Sequence, residues 1–115
     1  MKHTIATLTL LGAALSAHAQ VQFTNGNKLL RFFNGSEVEV TYAMGCVIAV
    51  VDTQSGTTVC VPESTEVGQI TDVVKRELTR LPEYRHMDAD VMVRSILKAT
   101  YPCASKKRTP GGTSL

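Results

Sequence analysis

Three cysteines, Cys46, Cys60 and Cys103, lie downstream of an N-terminal export pattern in a chain of 115 residues. Export places thiols in an oxidising compartment, where they pair. An odd count leaves one over, either free or available to a second chain. A chain this short builds only a modest core, so a disulfide matters to its fold.

The export pattern is Met1-Lys2-His3, an apolar run from Ile5 to Leu15, and Ser16-Ala17-His18-Ala19. A basic start, a short apolar core and a small-x-small end describe a secretory signal peptide cut after Ala19. The run is too short for a membrane span, which needs about 20 residues. Residues 1–19 are therefore read as signal peptide, residues 20–103 as one domain, and residues 104–115 as a disordered tail. That tail is Ser, Lys, Thr, Gly and Pro with nothing apolar to bury. The expected location is an oxidising compartment outside the cytoplasm.

The formal charge is +2, and Lys106-Lys107-Arg108 supplies three of the positive charges. Without those and Lys2, acidic side chains outnumber basic ones by 10 to 8, which is no nucleic-acid footprint.

Helix signals recur along the domain. Thr24 or Asn25 caps a short helix over Asn27 to Phe33, and Asn34-Gly35 stops it. Ser36 and Glu39 form a capping box ahead of an apolar run from Val40 to Val51. Its β-branched residues favour a strand, but its cap and length favour a helix, read as a buried central helix over 36–52. Ser64 or Thr65 starts the next helix, whose apolar face is Val67, Ile70, Val74, Leu78 and Leu81, and Pro82 stops it. Asp88 and Asp90 open the last, with Ala89, Met92, Val93, Ile96 and Leu97 inward and Pro102 at its end. The fold class is all-α, a small single domain of about four helices stapled by a disulfide.

The chemistry is sparse. Cys46 and Cys60 are close enough in sequence for an easy local bridge, which helix rise and extended reach both permit. Pairings that use Cys103 remain open on this reading. The cysteines lack the short C-x-x-C pairs of zinc sites, so no metal is expected. His86, with Arg85, is expected to fix the corner that Pro82 begins. A Cys103–His86 nucleophile pair lacks a third, orienting group. No phosphate loop, dinucleotide fingerprint or nucleophile elbow occurs. The expectation is a binding protein with no catalytic residue and no cofactor, not an enzyme.

One ordered string carries a family resemblance: Gly26-Asn27-Lys28-Leu29-Leu30, Cys46-Val47-Ile48-Ala49-Val50-Val51-Asp52, Cys60-Val61-Pro62, Gly68-Gln69, Val73-Val74, Pro82-Glu83-Tyr84-Arg85-His86 and Tyr101-Pro102-Cys103. It resembles the Tai-type, or resistance-associated periplasmic, immunity family of type VI secretion systems, over about residues 23–103. The resemblance implies a small helical periplasmic protein, often a homodimer. Such a protein binds a cell-wall amidase effector and blocks its cleft. It also implies a lost fourth cysteine at Phe33, which leaves Cys46–Cys60 as the disulfide and Cys103 as a free or intermolecular thiol. Contact with the amidase is expected at exposed corners, Gln54 and Ser55 in one loop and Glu83, Tyr84 and Arg85 in the other. The alternatives are a small periplasmic envelope-stress chaperone, or an orphan family member with another envelope role.

Overall fold

Val40 to Val51 lies inside an unbroken helix of 18 residues in the computed structural model, which describes residues 24–104. The order is α1 (Gly26–Phe33), α2 (Glu37–Gln54), α3 (Val67–Arg80), a 3-10 turn (Pro82–Tyr84) and α4 (Ala89–Thr100). There is no strand among the described residues, only isolated bridges. The signal peptide and all of the tail after Ala104 lie outside the described residues.

The start of α2 follows from its local chemistry. The Ser36 backbone N–H donates to Glu39 Oε2 at 2.8 Å, and the Glu39 N–H donates back to Ser36 Oγ at 3.4 Å. Two end groups that no intrahelical bond would reach are thus satisfied. The same bond from the Ser36 backbone, then that from its hydroxyl, and last the nearby Arg31 charge hold the Glu39 carboxyl below its ordinary range; slight desolvation opposes them. These contacts let the helix win over the strand that the β-branched residues favour locally.

The first helix starts one residue earlier than the sequence predicts. Asn25 caps it, its side chain accepting the Lys28 N–H at 2.9 Å. α3 starts later than expected, at Val67. Glu66 and Gln69 there form a capping box that displaces Ser64 and Thr65 from the cap. Val67 is consequently exposed, whereas Ile70, Val74 and Leu78 turn inward. Thr71 is buried beside them and donates to the carbonyls of Val67 and Gly68.

The core draws on all four helices. Leu29, Leu30 and Phe33 come from α1, and Ala43 and Val47 from α2. Ile70, Val74 and Leu78 come from α3, and Ala89, Met92, Val93, Ile96 and Leu97 from α4. The predicted inner face of α4 is buried in full. α2 differs from expectation: it is central in sequence, but only Ala43 and Val47 are buried, and Val38 is 79% exposed.

The cysteine pairing is also corrected. The disulfide joins Cys60 to Cys103, with Cα atoms 4.8 Å apart, and Cys46 is the free thiol. The local bridge fails because the chain leaving α2 does not retrace the helix. It turns at Gly56, whose φ of 76° suits glycine, and carries the buried Val59 across to Pro102. The Cys60 N–H then donates to the Tyr101 carbonyl at 2.8 Å, which sets Cys60 beside Cys103.

The other end of α4 is held by backbone. Gly26 N–H donates to Met87 O at 3.0 Å, Asn27 N–H to Arg85 O at 2.8 Å, and Ala89 N–H to Thr24 O at 3.0 Å. A Cβ on Gly26 would lie 2.6 Å from Met92 Sδ and 3.0 Å from the Arg85 backbone, so the close approach requires glycine there. Pro82 opens the 3-10 turn, as a corner residue should. His86 is exposed and has no hydrogen-bond partner among the described residues, so these backbone bonds hold the corner in place of its ring.

Candidate protein-binding face

A helix that is apolar all round normally has cover all round. α2 carries no charged residue from Val40 to Val51, yet the rest of the domain covers one stripe of it. α1 is only 8 residues long, and the first turns of α2 stay largely exposed, Val38 at 79% and Tyr42 at 50%. Among the described residues α2 also packs on α3 and α4, and Thr41, Tyr42, Gly45 and Ala49 stay exposed.

Between α2 and α4 lies a groove of about 500 Å³. Cys46, Ala49 and Val50 from α2 and Ala89 and Val93 from α4 line it, with Tyr42 at one side. Tyr42 is half exposed, and its ring stands edge-on to Phe32 with centroids 5.3 Å apart. Phe32 is itself flanked by the Lys28 and Arg31 cations, each 5.6 Å from its ring centre. Tyr42 is thus braced by α1. Val38, one turn before it, extends the apolar surface outward.

The polar rim comes from the start of α4. Arg94 donates to Asp90 at 2.7 Å, one turn apart on the helix. Both are about half exposed, so the pair contributes only about 0.3–0.5 kcal/mol. Asp88 occupies the N-cap position of α4, but its side chain makes no capping bond. It is half-buried and has no ion-pair or hydrogen-bond partner for its carboxylate among the described residues.

The sequence-predicted contact residues fall elsewhere and do not meet. Gln54 accepts the Thr58 hydroxyl at 2.7 Å, so its side chain serves the loop. Ser55 is exposed and pairs through its backbone with Val59, near the end of α4. Glu83 and Tyr84 are exposed at the other end of α4, and Arg85 is half-buried with its Nε unpaired. α4 has 12 residues, so the two corners are separated by a helix of about 18 Å. Tyr84 does border a smaller apolar hollow of about 270 Å³ with Leu81, Met87 and Val91.

Catalytic alternatives lose their parts. Cys103 is oxidised, which removes the thiol from any pairing with His86. Cys46 lies in the groove, whose lining contains no histidine. The described residues bring together no group of three metal-ligating side chains. None of their helices is long and apolar enough to cross a membrane.

The groove residues Tyr42, Ala49, Val50 and Val93 are absent from the sequence-predicted site, and Cys46 figures there only as a disulfide partner. Their signal was nonetheless present: twelve uncharged residues in a helix that needs only one buried stripe.

The described residues thus form a small helical domain, clamped by one disulfide, with an apolar groove between α2 and α4. The family model of the Rap1a immunity proteins matches residues 25–103, and the chain belongs to that family. Membership gives it an immunity role, in which the protein binds an effector. No curated protein sequence matches it.

Proposed function

We propose that this is a periplasmic immunity protein that binds a type VI secretion peptidoglycan amidase and occludes its active-site cleft. The observation that carries the reading is the open apolar side of α2 in a chain of an immunity family. An inhibitor of this kind contributes no chemistry. It needs a rigid, partly apolar surface that displaces water from the enzyme's cleft mouth. α2 and α4 supply such a surface, and the Cys60–Cys103 clamp keeps the end of α4 against the chain that leaves α2. The signal-peptide pattern at residues 1–19 delivers the protein to the compartment where a cell-wall amidase acts.

Co-expression tests the reading. Periplasm-directed amidases encoded near the gene are produced with the full-length chain, with a version lacking residues 1–19, or with neither. The full chain is expected to prevent lysis and the leaderless version to fail. Equal lysis with and without the full chain, across those amidases, refutes the proposal.

A further inference from the structure

The groove between α2 and α4 does not carry its own complement, and this identifies the chemistry of its occupant. Its floor is apolar, through Ala49, Val50 and Val93, and its charged groups are two aspartates and one arginine. The arginine is already committed, since Arg94 holds Asp90 at 2.7 Å. Asp88 is left as a half-buried carboxylate with neither a cation nor a capping bond among the described residues. A half-hydrated carboxylate gains most from a cation that reaches it as the groove closes over both.

The geometry points to an amphipathic segment of the effector as the ligand of this groove. Its apolar side chains lie on the floor, and a lysine or arginine beside them reaches Asp88. The inference rests on the immunity reading and adds the place and chemistry of contact. A second copy of the chain fits less well. A two-fold contact sets the same patch against itself, so each groove must find its cation in the other. The lining offers only Arg94, and releasing it strands Asp90. Cys46 supplies a reporter, because its free thiol lies within the groove.

The test uses the disulfide-intact protein and an amidase against which it protects cells. Affinity is measured by calorimetry for the wild type, Asp88→Asn, Ala49→Arg and the corner variant Glu83→Gln. N-ethylmaleimide alkylation of Cys46 is followed by mass spectrometry, with and without amidase. Asp88→Asn keeps a good cap residue, and Ala49 is exposed, so unchanged melting is expected for both. Asp88→Asn should weaken binding roughly tenfold to a hundredfold, as loss of a charged hydrogen bond does. Ala49→Arg should abolish binding, Glu83→Gln should leave it unchanged, and bound amidase should slow alkylation of Cys46. Wild-type affinity in Asp88→Asn together with unslowed alkylation overturns this inference while the immunity reading stands. Failure of the wild-type protein to bind any such amidase overturns both. Cys46 already shielded in the free monomer would show the groove closed by the chain itself, and shielding in a free dimer would assign it to a second copy. Either result overturns the inference.

Discussion

Replacing Cys60 and Cys103 together by serine should cost this domain a large part of its stability. The disulfide spans 43 positions and ties the segment after α2 to the end of α4. In the chain-entropy model, closing a loop of that length restricts the unfolded state by about 4 kcal/mol. A domain of this size has only about 5–14 kcal/mol in total. The melting temperature should therefore fall by roughly 15–30 °C. Removing both sulfurs adds no new thiol beside that of Cys46, and the backbone bond from Cys60 to Tyr101 is retained. Urea denaturation with linear extrapolation measures the loss, beside a Cys46→Ser control. Cys46 is unpaired, so that control should change stability by less than about 1 kcal/mol. A double-variant loss below about 1 kcal/mol, or a Cys46→Ser loss as large as the double variant's, refutes the pairing and its assigned weight.

Three further outcomes are expected. Gly26→Ala should destabilise by about 2 kcal/mol in thermal denaturation, because its Cβ meets Met92 and the Arg85 backbone and the corner must shift. Ser36→Ala removes the cap of α2 and should cost about 1 kcal/mol. Glu39 has its pKa lowered on folding, chiefly by the Ser36 backbone bond. Its contribution is therefore complete above the ordinary 4.5 and is lost as pH falls through the lowered folded value. Glu39→Gln should flatten that part of the acid limb in pH-dependent unfolding, and an unchanged limb would contradict it.

The helices were legible where local chemistry decides. The Ser36–Glu39 box set the start of α2, and the spacing of Met92, Val93, Ile96 and Leu97 set the inner face of α4. Both signals lie within a few residues of the structure they specify. The disulfide was not legible, because it depends on where α4 ends relative to the chain leaving α2. That distance is set by packing across four helices, and short sequence spacing favoured Cys46 misleadingly. The groove falls between these cases. An uncharged run announced more apolar surface than a helix needs, yet which side stays open depends on the short α1 and on the course of α4. The polar corner residues are conspicuous as loop positions, but Gln54 is occupied within its own loop. Val67 fitted the α3 period and is still exposed, since it sits in the first turn, before the helix reaches the core.

Direct occlusion is tested by inhibition of a purified amidase. Peptidoglycan stem cleavage is followed while the disulfide-intact protein is added from substoichiometric to excess amounts. Cleavage is expected to fall in proportion to added protein and to stop near equivalence, and Ala49→Arg should remove the effect. Undiminished cleavage at a large excess, by an amidase whose toxicity the same chain neutralises in cells, would contradict direct occlusion.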